Sequence, residues 1–359
     1  MESAKGKLGK VFANADFDKA LILNTSFDDS NFLYLTGYAP GWYDGCALVA
    51  DSNGMKLFAN RLVCGTAEKN RPKELEVIPI ETREQMADAL RKEIGNKTVG
   101  INKGFVPHSS YLKLRRMIPK AAIVDAAAAF GKAREIKDHD EMSRIRTAVQ
   151  ITKKAIETVR ADLSDMISES DIAMKIDIEF RKAHAVNAFN SIIAFGADSA
   201  MPHYAPQGTK KLKANTIILM DVGAKYMNYC GDITRTFFYK PDKTSSSYLK
   251  LREIYDVVEE AQQKGLEEME SGANGALADK AARDCIDRYR NGKYKGRFIH
   301  TLGHSIGIDV HDGARLYYKA KYTLARNMVF SDEPGIYVPG LGGVRIEDDV
   351  AIGKRPRFL

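Results

Sequence analysis

The sequence predicts an α+β fold in two domains, a smaller α/β domain over residues 1–133 and a larger domain over residues 134–359. Three observations lead to this prediction. The chain has 359 residues, whereas a single hydrophobic core rarely grows beyond about 250–300 residues. The first third alternates strand and helix patterns. From Phe189 onwards, short apolar runs separated by glycine, proline and asparagine indicate strands.

The strands of the first domain begin with an apolar run at residues 19–23. Two further runs, at 46–50 and 55–59, flank the dipeptide Asn53-Gly54. Because Asn-Gly between apolar runs is a strong signal for a tight turn, these two runs are predicted to form a β-hairpin.

A helix follows in the first domain. Thr82 begins it as the N-cap, Gln85 completes a capping box, and Gly95 ends it. The domain is completed by a strand, a helix and a strand, predicted at 98–101, 107–117 and 121–124.

The second domain begins with two capped helices. Asp138 and Glu141 form the capping box of the first helix, and Ser168 and Asp171 cap the second. Both helices carry an apolar stripe that is predicted to face the core. The stripes are Met142, Ile145, Val149, Thr152, Ile156 and Val159, then Ile172, Ile176 and Phe180; His139 and His184 are interpreted as plain helix residues.

The remainder of the second domain is predicted to be antiparallel strands around two helices. Strands built this way can bring side chains from distant segments to one place. The strands are predicted at 191–195, 217–221, 235–239, 327–330 and 345–351, and the helices at 246–270 and 275–290.

The composition is that of an ordinary globular protein, with 44% hydrophobic and 28% charged residues. The net charge of +7 does not predict nucleic-acid binding, because only 210–213 and 353–357 are locally basic and neither contains aromatic residues. No apolar run approaches the roughly 20 residues of a membrane helix. The four cysteines contain no CxxC pair, and this favours reduced thiols and a cytoplasmic location.

The second domain contains an acidic pattern that predicts a metal centre. Asp221 ends an apolar run and Asp232 follows shortly after it; His304, Glu333 and Glu347 lie in three later segments. A buried carboxylate is costly unless it is paired or binds a metal. Four carboxylates and one imidazole suit Mn, Co, Fe or Zn at a catalytic centre better than a thiolate-type structural site does.

Histidines concentrate in the same part of the chain. His203, His300 and His311 accompany His304, so four of the seven histidines lie there. A lone histidine is more often a core residue than a ligand, but here all four accompany the acidic signals. The single tryptophan, Trp42, lies in an aromatic loop that is expected either to reach a neighbouring site or to pack at an interface.

With these five positions in order, the sequence resembles the pita-bread metallopeptidases, the family of methionine aminopeptidases, Xaa-Pro aminopeptidases, prolidases and creatinase. The resemblance covers the whole chain and implies a creatinase-like N-terminal domain followed by a pita-bread catalytic domain. It also implies two divalent metal ions (Mn, Co, Zn or Fe, with Mn or Co favoured). Asp221 would bind one ion, His304 and Glu333 the other, and Asp232 and Glu347 both.

The resemblance implies roles for the other residues of the pattern. Glu333 would carry the proton from the attacking water to the leaving nitrogen, and His203 and His311 would contact substrate and stabilise the tetrahedral intermediate. His300 matches an additional histidine of the Xaa-Pro members and is expected to bind substrate. Arg345 is expected either to orient a metal ligand or to hold the substrate carboxylate.

Cleavage before proline, in Xaa-Pro dipeptides or at the N-terminus of longer peptides, is the implied function. The N-terminal domain disfavours a methionine aminopeptidase, and the complete ligand set disfavours creatinase chemistry and a non-enzymatic pita-bread binding protein. Proline-containing peptides are the expected partners, without nucleic acid or membrane, and a homodimer is expected, with Trp42 as a candidate contact. Ser305 departs from the family pattern after the metal histidine and is expected to alter the pocket wall.

Overall fold

The computed structural model describes residues 4–25 and 28–359, and the chain divides into two compact units, Met1–Glu135 and Ile136–Leu359. Both units combine helices and strands, which confirms the predicted α+β class with two domains. Within the described ranges, no helix combines the length and apolar character that crossing a membrane requires.

In the part of the first unit that the structure describes, one mixed sheet of six strands forms the centre. They are β1 (Lys19–Leu23), β2 (Ala47–Ala50), β3 (Met55–Asn60), β4 (Leu75–Ile80), β5 (Thr98–Ile101) and β6 (Ala122–Asp125). The order across the sheet is β4-β3-β2-β1-β5-β6, antiparallel within β1-β2-β3 and parallel elsewhere. The predicted β2–β3 hairpin is confirmed, and Asp51 Oδ1 accepts the Asn53 N–H at 2.8 Å in its turn.

The described residues of the first unit form six helices. They are α1 (Ala4–Phe12), α2 (Ser30–Thr36), α3 (Arg61–Asn70), α4 (Arg83–Ile94), α5 (His108–Met117) and α6 (Ala127–Glu135). The capping box of α4 is confirmed, with the Thr82 side chain and Gln85 bonded reciprocally. Helices α1, α2, α3 and α6 and strand β4 were not predicted, because short elements carry little periodicity.

Four helices belong to the second unit: α7 (His139–Ala161), α8 (Glu169–Lys182), α9 (Ser246–Glu267) and α10 (Ala276–Arg288). The capping boxes of α7 and α8 are confirmed at Asp138 and Ser168. The predicted apolar stripes of both helices are buried. Helices α9 and α10 pack together in a core that also includes Phe330 and Val344 from the strands. His184 was predicted on α8 but lies beyond its end, at φ 57°.

The strands of the second unit form several small antiparallel sheets, among them β8-β9-β12, β15-β18-β19, β16-β17 and β13-β14. Their bounds are β7 (Val186–Asn187), β8 (Ile192–Phe195), β9 (Thr216–Val222), β10 (Ala224–Tyr226), β11 (Tyr229–Cys230), β12 (Ile233–Tyr239), β13 (Gly303–His304), β14 (Arg315–Leu316), β15 (Val329–Asp332), β16 (Gly335–Val338), β17 (Gly342–Arg345), β18 (Asp348–Ala351) and β19 (Arg357–Phe358). The single strand predicted at 345–351 is wrong, because the chain leaves the ladder between β17 and β18.

Candidate metal centre

Two glutamates come from matching interruptions of neighbouring strands. The β15–β18 ladder ends with the pair Asp332 and Asp348, and the β16–β17 ladder resumes with Gly335 and Arg345. The four residues between these pairs leave the ladder; they are Glu333, Pro334, Ile346 and Glu347.

Other segments satisfy the backbone at this interruption. Pro334 has no N–H to give to a ladder. The Glu333 N–H donates to Leu302 O at 2.9 Å, and the Glu347 N–H donates to Thr234 O at 3.2 Å. The interruption therefore fixes two carboxylates side by side without leaving these N–H groups unpaired.

The two aspartates lie on the β9–β12 pair, where Asp221 faces Thr234 and Asp232 immediately precedes β12. Gly231 allows this placement because the backbone runs against α7. A Cβ at Gly231 would lie only 2.7 Å from Val149 N. The Asp232 N–H donates to Asp349 Oδ2 at 3.0 Å, which fixes the backbone at this ligand position.

His304 reaches the carboxylates because β13 approaches β15 closely. A Cβ at Gly303 would lie 1.9 Å from Ser331 O, so only glycine permits this contact. The His304 N–H donates to Ser331 Oγ at 3.0 Å. His304 Nε2 lies 3.6 Å from Asp232 Oδ2 and 3.4 Å from Glu333 Oε1.

These residues fit a divalent metal centre. Asp232, His304 and Glu347 each offer one ligand atom, and the three atoms lie within 4.8 Å of one another. Asp221 Oδ1 and Asp232 Oδ1 are buried and accept no hydrogen bond from the described residues. Buried oxygens without a partner are costly in a protein, and a cation satisfies them. The oxygen-rich donor set is one that Mn, Co, Fe and Zn accept.

The pKa shifts of the clustered carboxylates also fit a bound cation. Burial, followed by repulsion from Glu347, raises the pKa of Asp232 and of Glu333 well above the usual range. Burial and the charge of Asp221 raise the pKa of Glu347. A bound cation relieves both the desolvation and the mutual repulsion of these carboxylates.

A chain of hydrogen bonds runs behind Asp221. Arg345 is buried; its Nη2 is paired with Asp221 Oδ2, its Nε donates to Thr234 Oγ1 at 3.0 Å, and its Nη1 donates to Tyr337 OH at 2.8 Å. Tyr337 OH lies 2.8 Å from His300 Nε2. The bonds made by Arg345 favour the interpretation in which it orients a metal ligand over the one in which it holds substrate.

His300 is neutral in this chain of bonds. Burial lowers its pKa to about 3. Its Nδ1 lies 2.9 Å from Thr301 O, a carbonyl that can only accept, so Nδ1 carries the proton and Nε2 accepts from Tyr337. Glu333 Oε2 lies 3.8 Å from the same Nδ1. Tyr337 thus links Arg345, which is paired with Asp221, to the histidine beside Glu333.

All nine site residues predicted from the sequence line one cavity of about 520 Å³; they are His203, Asp221, Asp232, His300, His304, His311, Glu333, Arg345 and Glu347. The His304 and His311 rings meet edge to face with centroids 4.2 Å apart. Ser305 does not line this cavity; its buried hydroxyl lies 3.4 Å from Lys137 Nζ instead. The cavity has room for a small peptide beside the carboxylates.

The sequence did not predict the parts that Thr234, Tyr337 and Arg315 have in this site. Thr234 Oγ1 donates to Glu347 Oε2 at 2.6 Å, and Tyr337 links Arg345 to His300. Arg315 lines the cavity because it pairs with His304 across β13–β14. The sequence holds no signal for Arg315, since only the strand pairing places it there. The apolar part of the wall comes from Phe189, Ile192, Pro202, Ile299 and Val310.

Comparison with known proteins agrees with this geometry. The family model of metallopeptidase family M24 matches residues 143–354, and that of the creatinase/prolidase N-terminal domain matches residues 6–136. A Xaa-Pro dipeptidase of Pyrococcus horikoshii is 31% identical over 325 residues, which are 90% of this chain and 88% of that protein.

Two solved structures are similar along almost their full length. A Xaa-Pro dipeptidase from Bacillus anthracis has a TM-score of 0.87 and 28% identity, and the match covers 99% of this chain and 97% of that one. An X-Pro aminopeptidase from Thermotoga maritima has a TM-score of 0.84 and 28% identity, with 95% of each chain covered. This chain therefore belongs to metallopeptidase family M24, with a creatinase/prolidase-type domain at its N-terminus.

Proposed function

We propose that this peptidase uses two divalent metal ions to cleave the bond before proline, and that Xaa-Pro dipeptides are its main substrates. The observation that carries the proposal is the arrangement of five ligand-type side chains around one cavity that also contains three histidines and two arginines. The similarity to Xaa-Pro dipeptidases and to an X-Pro aminopeptidase supports the choice of substrate class.

Five residues would hold the ions: Asp221, Asp232, His304, Glu333 and Glu347. Four carboxylates balance the four positive charges of two divalent ions. When bound, such ions polarise the scissile carbonyl and make water more acidic. Mn or Co is favoured, and Zn and Fe are compatible with the same donors.

The protein's own side chains move the proton and stabilise charge. Glu333 takes a proton from the attacking water and delivers it to the leaving nitrogen of proline; it lines the cavity among the ligand-type side chains, where such a water would be held. His203 and His311 donate hydrogen bonds to the oxyanion that develops on the scissile carbonyl. Arg345 and Tyr337 hold Asp221 and His300 in place during these steps.

Arg315 is the residue that favours dipeptides. It faces the cavity, whereas Arg345 is already paired with Asp221. The C-terminal carboxylate of a dipeptide lies close to the scissile bond, and Arg315 supplies the guanidinium to bind it. Replacing Arg315 by Met is expected to raise KM for a Xaa-Pro dipeptide by about tenfold to a hundredfold. An Arg288→Met control, on an exposed side chain of α10, should leave KM unchanged.

The deciding experiment compares a Xaa-Pro dipeptide with a Xaa-Pro-Xaa peptide, after chelation and after Mn or Co is added back. Metal-dependent cleavage of the dipeptide is the expected result. Cleavage of the longer peptide alone would indicate an aminopeptidase instead. Silence on both substrates with metal bound would overturn the proposal, and methionyl peptides and then protein-binding assays would follow.

The active form is proposed to be a homodimer. Trp42 supports this part of the proposal, since 68% of its side chain is exposed while the neighbouring Tyr38 and Tyr43 are buried and stacked on each other. Exposed aromatic residues are enriched at interfaces. Sedimentation of the wild type and of Trp42→Ala checks the assignment: a dimer that weakens in the variant is expected, and a wild-type monomer would contradict it.

A further inference from the structure

The segment that carries His203 has little regular structure of its own. After a short 3-10 turn at Gly196–Ala200, the chain runs irregularly to β9, which begins at Thr216. The His203 side chain is exposed within the active-site cavity. The position of its imidazole therefore follows from the position of the backbone, and that backbone needs external support.

One buried carboxylate supplies much of this support. Glu169 is the first residue of α8, and its side chain is fully buried. Its Oε1 accepts the Phe195 N–H at 2.9 Å, at the end of β8. Its Oε2 accepts the Tyr204 hydroxyl at 2.9 Å and the Gln207 N–H at 3.0 Å. The two carboxylate oxygens of Glu169 thus bind the polypeptide both before and after His203.

The first turn of α8 adds further contacts to the same segment. The Ser170 hydroxyl donates to Pro206 O at 3.2 Å, and Ser168 forms a bridge with Lys211. Asp198 and Lys210 are joined by an ion pair of 2.7 Å, which closes the segment. Burial raises the pKa of Glu169, and the location of its carboxylate at a helix N-terminus and its three hydrogen-bond donors oppose this shift.

We propose that Glu169 is a positioning residue for His203: its three hydrogen bonds fix the irregular segment so that the imidazole is presented to the substrate. The inference rests on the proposed function, in which His203 stabilises the oxyanion. Glu169 would affect catalysis through His203, because Glu169 itself neither lines the cavity nor contacts a candidate metal ligand.

The test replaces Glu169 by Gln, alone and together with His203→Ala. Glutamine keeps the size of the side chain, but it presents an amide N–H₂ where a carboxylate oxygen accepted, so at least one of the three donors loses its partner. The kcat of Glu169→Gln is expected to fall by about tenfold to a hundredfold. In the His203→Ala background, the same substitution should change kcat hardly at all, because interacting residues are non-additive.

The double-mutant comparison separates positioning from a general structural role. An equal loss of kcat in both backgrounds would overturn the proposal. Glu179→Gln, on the same helix but with its carboxylate paired with Lys182, is the control and should leave kcat unchanged. If Glu169→Gln fails to fold, Tyr204→Phe replaces it in the same comparison, since that variant removes one of the three hydrogen bonds and keeps the ring.

A readout without substrate keeps this inference distinct from the proposed function. Hydrogen exchange is measured on wild type and Glu169→Gln with Mn added, and metal content is measured in parallel. Faster exchange confined to residues 195–211 and unchanged metal content are expected, even if no Xaa-Pro peptide is hydrolysed. Unchanged exchange in that segment would overturn the positioning role whatever the substrate proves to be.

Discussion

Two buried aspartates, one in each compact unit, have opposite surroundings. Asp29 of the first unit is 1% exposed; its Oδ1 accepts the Asn31 N–H at 2.8 Å and its Oδ2 accepts Asn102 Nδ2 at 3.1 Å. Asp232 of the second unit is 5% exposed, yet its Oδ1 has no partner among the described residues. Burial alone therefore does not mark a metal ligand. An unsatisfied oxygen on the cavity wall indicates one instead, because a structural carboxylate has its hydrogen-bond donors in place. Asp332 and Asp349 also have unsatisfied oxygens, but they do not line the cavity.

Two glutamates of the second unit repeat the contrast. Glu141 is buried, and its oxygens accept the Tyr229 hydroxyl and the Asp138 N–H, both at 2.8 Å. Among the described residues, the Glu333 side chain accepts a hydrogen bond from the Ser331 hydroxyl alone, at 3.2 Å, and it faces His304. One glutamate secures a helix start, and the other is available for chemistry.

The largest effect expected from this contrast is on turnover. Replacing Glu333 by Ala should lower kcat for a Xaa-Pro dipeptide by at least about a thousandfold, because the proton carrier is lost, while the melting temperature is retained. Glu141→Ala should do the reverse, lowering the free energy of unfolding by about 1–3 kcal/mol and leaving kcat of the folded protein unchanged. The contrast breaks down if Glu333→Ala keeps most of its activity at saturating metal.

The next effect is on stability and has opposite signs at the two aspartates. In the presence of a chelator, Asp29→Ala should lower the free energy of unfolding by about 1–2 kcal/mol, since α2 loses its N-cap. Asp232→Ala should raise it, because burial and repulsion from Glu347 and Asp221 disfavour this carboxylate. Urea unfolding checks both signs.

The same pair of variants responds differently to metal. At a hundred times the dissociation constant, Mn should stabilise wild type and Asp29→Ala by about 2.7 kcal/mol. Asp232→Ala should gain much less. Equal gains in the two variants would show that Asp232 is not a ligand.

The smallest effect is expected at Tyr337, which contacts neighbours of the proposed metal ligands and does not line the cavity itself. Tyr337→Phe removes the hydroxyl between Arg345 and His300. Losing a residue that supports the proposed metal ligands should lower kcat or metal affinity by about tenfold. Steady-state kinetics and Mn titration measure the two quantities, and a Phe298→Leu change, behind the same histidine ring, is the matched control for packing. A loss no larger than that of the control would remove Tyr337 from the site.

Local sequence signals predicted much of the fold. The capping boxes that begin at Thr82, Asp138 and Ser168 could be recognised in the sequence, because the two residues of each box lie within one helical turn of each other. The grouping of the ligand-type residues was also predictable, because acidic residues after apolar runs are rare enough to stand out.

Long-range contacts explain what the sequence could not predict. The strand interruption before Glu347 depends on the bond from its N–H to Thr234 O, more than a hundred residues away in sequence. The position of Arg315 depends on the register of β13 with β14. The support of the His203 segment by Glu169 depends on a buried carboxylate that resembles any other acidic residue in the first turn of a helix.

The hairpin of β16 and β17 limits where residues can be inserted or deleted near Glu333 and Glu347. Glu333 and Glu347 flank it, and the pairing of Gly335 with Arg345 sets the spacing of the two carboxylates. The length of the connecting turn at 339–341 does not enter that spacing. Residues can be inserted at this turn while the ligands stay in register, whereas deletion of one residue inside either strand would turn the following side chains to the opposite face. Variation in length is therefore expected at the turn and not in the two strands, whose register sets the spacing of Glu333 and Glu347.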